Sequence, residues 1–156
     1  MTISNIALRL AGLGSFGLLA GAFAFQHLGG LMPCQMCVWQ RWPHGVAIVL
    51  AVLALWLVPG LRRPLAWLGA LAMAAGAGIG LFHAGVEQKW WAGLSGCSGG
   101  IDPSGLSATE ALAQLRATDM VACDEIAWQF LGLSMAGWNA LLSVGLLALW
   151  VIAARR

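Results

Sequence analysis

Four long apolar runs without charged residues stand out along the chain. Asp, Glu, Lys and Arg are all missing from the runs Leu10 to Gln40, Trp42 to Leu61, Pro64 to Val86 and Ile126 to Ala154. Each run can supply the roughly 20 mostly apolar residues that a helix needs to cross a bilayer. We therefore predict an all-α membrane protein, one integral domain over 1–156, with transmembrane helices at about 6–26, 43–59, 64–84 and 135–154.

The connections between these helices differ in length. Pro59 and Gly60 mark a tight turn between the second and third helices. Two longer connections, 27–42 and 85–134, lie at the opposite end of the bundle. Ser107 and Glu110 in the second connection form an S-x-x-E capping box, which is typical of a helix start. The predicted fold is a four-helix transmembrane bundle with two loops, the second of which carries a short amphipathic helix.

Composition and charge support a membrane protein and predict its orientation. The chain is 60% hydrophobic and only 9% charged, whereas soluble domains carry about 25% charged residues. A net charge of +2 is too small to indicate nucleic-acid binding. The positive-inside rule predicts a cytoplasmic position for the end of the bundle that carries Arg9, Arg62, Arg63, Arg155 and Arg156. Both termini are then cytoplasmic, and both longer loops are periplasmic.

The first apolar run could instead be a cleaved signal peptide. Its removal would leave three helices and would undo the charge asymmetry between the two ends. We therefore interpret this run as the first membrane helix.

The four cysteines form two pairs, and both pairs fall in the longer loops. Cys34 and Cys37 form a C-x-x-C in the first loop, and Cys97 and Cys123 lie in the second. Cysteines in an oxidising periplasm form disulfides or exchange them. If a helix begins at Cys34, then Cys37 and Arg41 share one of its faces. The helix N-terminus and the guanidinium would both favour thiolates, the reactive form, so we predict a redox-active first pair.

The residues alone leave other interpretations open. The four cysteines could bind zinc as a Cys₄ site, although Cys97 and Cys123 lack a second short spacing. They could also form purely structural disulfides, and Arg41 could extend to a lipid headgroup. With a zinc site or with purely structural disulfides, the chain would be a non-catalytic membrane protein with four spans. Three disulfide pairings are possible. Haem attachment is excluded, because it needs a histidine where Val38 stands.

Three motifs resemble the disulfide bond formation protein B (DsbB) family, and the likeness covers nearly the whole chain. They are PCQMCVWQR at 33–41, FHAGVE at 82–87 and CDEIAWQFLGLSM at 123–135. The resemblance implies a protein-dithiol:quinone oxidoreductase of the bacterial inner membrane. Such an enzyme reoxidises a periplasmic thioredoxin-like dithiol protein of the DsbA type and passes the electrons to a quinone, ubiquinone or menaquinone. One departure is Ala136, where some family members have proline.

The resemblance also implies roles for the four cysteines. Cys97 forms the mixed disulfide with the partner, and Cys123 can then engage Cys34. Cys37 becomes the thiolate beside the quinone. The expected resting state pairs Cys34 with Cys37 and Cys97 with Cys123.

Two further residues are implied to line the quinone site. Arg41 would stabilise negative charge there, and His83, near the outer end of the third helix, would be a second pocket residue. Glu87 is a weaker candidate. His27 and His44 carry no such argument. A vitamin K epoxide reductase-like oxidase is disfavoured, because that family carries its C-x-x-C on a late helix.

Overall fold

Four long helices make up most of the described part of the chain. The computed structural model describes residues 2–94, 97, 107, 109 and 122–156. Its helices are α1 (Ile3–His27), α2 (Gln35–Val52), α3 (Arg62–Glu87) and α4 (Met135–Arg155). Each of the four is long and apolar enough to cross a membrane. The prediction of an all-α membrane protein with a four-helix bundle is confirmed.

The second helix begins earlier than the apolar pattern indicates. The predicted start was residue 43, within a first loop of 27–42, whereas α2 begins at Gln35 with Cys34 as its N-cap. The Cys34 sulfur accepts a hydrogen bond from the backbone N–H of Cys37, as N-cap side chains do. Pro43 lies inside the helix. The prediction was wrong because the polar residues Gln40 and Arg41 were assigned to a loop, although both bind partners on other helices.

Small residues allow α3 and α4 to pack closely. A side chain at Gly80 would lie 3.0 Å from the backbone nitrogen of Ala140. Gly69 lies directly against the fully buried ring of Trp150. Such close approach is typical of helices that associate within a membrane. Many Leu, Val and Trp side chains on the outer faces are exposed, as expected where lipid surrounds the bundle.

The first helix is buried along only part of its length. Its buried residues are Ser4, Ala7, Leu8, Ala11 and Ser15. In the same helix the residues from Phe16 to His27 are all half-buried or exposed. The second half of α1 therefore contributes no fully buried residue, at the end of the bundle where α2 begins.

Two connections have more structure than expected. After Val52, α2 continues as a π-helical turn (Leu53–Leu57), and a 3₁₀ turn (Pro59–Leu61) leads into α3. Two short antiparallel strands, β1 (Gln129–Phe130) and β2 (Leu133–Ser134), precede α4. The pattern analysis did not predict this hairpin inside the second loop, and α3 extends to Glu87 rather than ending at 84. The predicted helix that begins at Ser107 lies largely outside the described residues.

Candidate redox site

All four cysteines meet at one end of the bundle. Cys34, Cys97 and Cys123 belong to one buried cluster, which includes Met36 and Val86, and Cys37 packs against it. Cys97 and Cys123 form a disulfide with a Cα–Cα distance of 5.1 Å. Cys34 and Cys37 are free. We call Cys34 and Cys37 the inner pair, and Cys97 and Cys123 the outer pair. The outer pair is therefore joined by a disulfide, and the sulfurs of the inner pair lie 2.7 Å apart without one.

The two thiols of the inner pair are not equivalent. The Cys34 thiol donates a hydrogen bond to the Cys37 sulfur over 2.7 Å. Donating this hydrogen bond, together with burial, raises the pKa of the Cys34 thiol well above its ordinary value. These effects outweigh the N–H that Cys37 directs at Cys34. Burial and the donated hydrogen bond therefore oppose a thiolate at Cys34, and Cys37 is the sulfur that accepts.

A cavity of about 420 Å³ adjoins Cys37 between α1, α2, the start of α4 and the segment 127–130. Four neighbouring aromatic side chains line it: Phe25, Trp128, Phe130 and Trp138. Their ring centroids follow one another at 5.1, 6.1 and 6.3 Å. Four polar residues complete the wall beside Cys37: Gln40, Arg41, His44 and Asn139. A largely apolar cavity of this size with a few polar groups is typical of a small-molecule site.

Arg41 lies in the cavity wall, as a predicted site residue should. Its guanidinium donates a hydrogen bond to Oε1 of Gln26 at 2.6 Å and lies 4.8 Å from the centroid of the Phe23 ring. Both partners belong to α1. The cation is therefore held between α1 and α2, on the same side of α2 as the cavity.

His83 lies beside the inner pair. Its Nε2 is 3.6 Å from the Cys34 sulfur and 3.8 Å from Oε1 of Glu87. Its Nδ1 is 2.7 Å from Nε2 of Gln40. His83 is not among the described residues that line the cavity, because Gln40 stands between the two. The structure thus brings His83 to Cys34 rather than to Arg41.

Sequence reasoning missed three polar residues of this region: Gln40, His44 and Asn139. They form hydrogen bonds with one another across α2 and α4. A signal was present, since polar side chains inside apolar membrane spans are costly and commonly functional. His44 in particular was given no role from its position alone.

A Cys₄ metal centre would need all four cysteines as thiolates. Cys97 and Cys123 cannot ligate as thiolates while their sulfurs are bonded to each other. In the described part of the chain, the ligand atoms of Cys34, Cys37 and His83 do lie within 4.8 Å of one another. That set offers three donors, whereas a structural zinc site has four.

Comparison with known proteins identifies a family that the chain resembles over most of its length. The profile of the family described as disulfide bond formation protein DsbB matches residues 4–153. The chain is 35% identical over 144 residues to disulfide bond formation protein B of Xanthomonas oryzae pv. oryzae, covering 88% of this chain and 82% of that relative. It is 30% identical over 151 residues to the protein of the same name from Hahella chejuensis, covering 88% and 85%.

No solved structure gives a significant match. The family is nevertheless shown by the profile and by these relatives, which extend over most of both chains. The chain belongs to the disulfide bond formation protein B (DsbB) family.

Proposed function

We propose that this protein is a thiol:quinone oxidoreductase that generates disulfides. It takes two electrons from a periplasmic thioredoxin-like dithiol protein of the DsbA type and passes them to a membrane quinone, ubiquinone or menaquinone. One observation carries the proposal. Two cysteine pairs share one buried cluster, and Cys37 of the inner pair lies in the wall of a largely apolar cavity.

The outer pair is the one that meets the partner. A partner thiolate attacks the Cys97 sulfur, the bond between Cys97 and Cys123 breaks, and Cys123 leaves as a thiolate. The second partner thiolate then displaces Cys97. The partner gains a disulfide, and the outer pair gains two electrons and two protons. Thiolate attack on a disulfide sulfur is the general route of such exchange.

The inner pair receives these electrons in a second exchange. Cys123 attacks Cys34 of an inner disulfide, and Cys37 leaves as a thiolate. Cys97 then displaces Cys34 from Cys123, which restores the outer disulfide and leaves the inner pair reduced. The two pairs share one buried cluster, as this exchange requires.

The cavity residues fit a quinone as the electron acceptor. A bound quinone supplies an acceptor for two electrons and two protons. Cys37 lies in the cavity wall where electrons would leave the protein, and Arg41 provides a positive charge in the same wall. His44, another wall residue, keeps its Nδ1 buried without a hydrogen-bond partner in the described residues. The neighbouring aromatic rings offer flat apolar surfaces for a ring.

We place the cysteine end of the bundle on the periplasmic side of the bacterial inner membrane, with both termini in the cytoplasm. The positive-inside rule supports this orientation, because Arg62 and Arg63 lie at the start of α3, at the opposite end. Arg62 donates to the backbone oxygen of Ala54 there.

The test is quinone reduction by the purified protein in detergent, with a reduced thioredoxin-like periplasmic protein as the donor. Wild type is compared with Cys37→Ser and Arg41→Ala. We expect turnover in wild type, none in Cys37→Ser and slower turnover in Arg41→Ala. Cys→Ser at any of the other three positions should also stop turnover.

Absence of turnover in wild type, with several donors and both quinone types, would overturn the proposal. The alternative is then a non-catalytic protein with four spans, structural disulfides or bound metal. Zinc analysis of anaerobically purified protein separates the last two cases.

A further inference from the structure

A chain of side-chain hydrogen bonds connects the cavity wall to the inner pair. It runs from His44 on α2 to Asn139 on α4 at 2.9 Å, and from Asn139 to Gln40 at 2.8 Å. Gln40 continues to His83 on α3 at 2.7 Å. His83 then reaches Cys34 at 3.6 Å, and Cys34 reaches Cys37 at 2.7 Å. The chain starts and ends on residues of the same cavity wall.

One backbone carbonyl sets the direction of donation. Nε2 of Gln40 lies 3.2 Å from the carbonyl oxygen of Met36, which can only accept. The NH₂ group of Gln40 therefore faces Met36, and the same group faces Nδ1 of His83. That ring nitrogen must be the acceptor, since two N–H groups cannot bond to each other. The proton of a neutral His83 is thus on Nε2, the nitrogen nearest the Cys34 sulfur.

The carbonyl oxygen of the Gln40 amide continues the series of hydrogen bonds toward the cavity, with the same direction of donation. Its Oε1 accepts from Nδ2 of Asn139, so the oxygen of Asn139 faces Nε2 of His44 and accepts from it. Every link then donates toward Cys37. Hydrogen bonds that donate in one direction polarise and strengthen one another in a low-dielectric interior.

We propose that Gln40 and Asn139 are positioning residues that fix this direction, so that the hydrogen bond from Cys34 falls on the Cys37 sulfur. The inference rests on the proposed function, because it concerns which sulfur carries negative charge beside the electron acceptor. Gln40 acts through His83, and Asn139 acts through Gln40. His44 anchors the far end of the chain and is 3% exposed.

Two other groups face His83 and are consistent with a proton on Nε2. Oε1 of Glu87 lies 3.8 Å from that nitrogen, and the backbone of Cys123 also interacts with the imidazole. Cys123 belongs to the outer pair, so His83 contacts residues of both pairs. A reversed His83 would present a bare nitrogen to the Glu87 carboxylate.

The test uses Gln40→Glu, which has nearly the same shape but cannot donate. Its carboxylate would accept from His83, so the imidazole proton should move to Nδ1. Nε2 would then accept from the Cys34 thiol, and Cys34 would stop donating to Cys37. Gln40→Met removes the donor without adding charge. Gln35→Glu adds the same charge at the first residue of α2, which is half-buried and does not belong to the series of hydrogen bonds.

Two measurements report the result on the full-length protein. ¹⁵N chemical shifts give the protonated nitrogen of His83, and the spectrum is simple because the chain has three histidines. Peptide mapping after brief alkylation of the reduced protein gives the rate at Cys37. We expect Nε2–H in wild type and Gln35→Glu, and Nδ1–H in Gln40→Glu. Alkylation of Cys37 should fall about tenfold in Gln40→Glu and less in Gln40→Met, the scale of a lost hydrogen bond to a charged group.

Nδ1–H on His83 in wild type would overturn the inference, and this result needs no variant to fold. A folded Gln40→Glu variant in which the His83 proton stays on Nε2 would also overturn the inference. The proposed function is tested separately. If wild-type protein carries the His83 proton on Nε2 but reduces no quinone, only the proposed function is overturned. If wild-type protein reduces a quinone but carries the His83 proton on Nδ1, only the inference is overturned.

Discussion

The Ser134 hydroxyl donates a hydrogen bond to Oε2 of Glu87, and this contact ties the end of α3 to the start of α4. The same hydroxyl accepts from the backbone N–H of Gly137 at 3.1 Å, as the N-cap of α4. Ser134 is therefore held from two sides, at the end of the hairpin that follows the outer pair.

Replacing Ser134 with alanine removes both bonds. We expect Ser134→Ala to lower the free energy of unfolding by about 1–3 kcal/mol, the combined scale of a lost cap and an unpaired buried carboxylate. Denaturation in detergent measures it. Thr2→Ala is the control, because Thr2 caps α1 through an exposed bond of 3.4 Å. A loss for Ser134→Ala no larger than for Thr2→Ala would contradict the assigned role.

Two glycines of α3 should respond in opposite ways to alanine. A side chain at Gly85 would overlap the ring of Trp91, whereas one at Gly78 would meet nothing within 4 Å. Trp91 stacks on Phe82 at 5.8 Å, so Gly85→Ala must displace a ring beside the cysteine cluster. We expect it to destabilise the protein by about 1–3 kcal/mol. Gly78→Ala should be neutral or stabilising, because alanine favours helix. Thermal unfolding of both variants decides, and equal midpoints would refute the packing argument.

Arg41 should contribute through both its charge and its shape. Arg41→Lys keeps the charge but loses the planar fork that reaches Gln26, and Arg41→Met loses both. We expect quinone reduction to fall about tenfold in the first and about a hundredfold in the second, on the scale of one and two charge-assisted bonds. Arg63→Met is the control, since Arg63 is exposed at the opposite end. Equal rates in Arg41→Met and Arg63→Met would exclude Arg41 from the site.

A surface ion pair beside the outer pair should respond to pH. Nζ of Lys89 lies 2.5 Å from Oδ2 of Asp124, and this bond holds the pKa of Asp124 below its ordinary value. The stabilisation is therefore present above the ordinary value of 3.8 and is lost as the pH falls through the lower value in the folded protein. Both groups are partly exposed, so the effect is small. We expect the outer disulfide to react faster with a phosphine reductant in Asp124→Asn at pH 7, by less than about threefold. The difference from wild type should vanish at the lowest pH that the fold tolerates, and a difference that persists would contradict the ion pair.

The helices could be predicted because a bilayer requires long apolar runs, and the cysteine pairs stood out within the polar segments. The apolar pattern alone did not predict the early start of α2, because Gln40 and Arg41 are polar; only the hypothesis of a helix that begins at Cys34 covered it. The hairpin before α4 depends on Leu131 and Gly132 at positive φ, and one such leucine leaves no recognisable sequence pattern. The hydrogen-bond chain joins residues from three helices, so no spacing along the sequence reveals it.

The half-length anchoring of α1 affects which molecules the cavity can admit. All the buried residues of this helix lie between Ser4 and Ser15, while Gly17, Ala22 and Phe25 beyond them line the cavity. This outer half is held to the bundle by the hydrogen bond from Arg41 to Gln26 and by the contact of Phe25 with Trp128 rather than by fully buried side chains. The cavity therefore has one more compliant wall and one firm wall formed by α2 and α4. A compliant wall discriminates only weakly between ligands whose ring substituents or tails differ in size. Discrimination among electron carriers would then follow from their redox potential and their abundance in the lipid rather than from their shape.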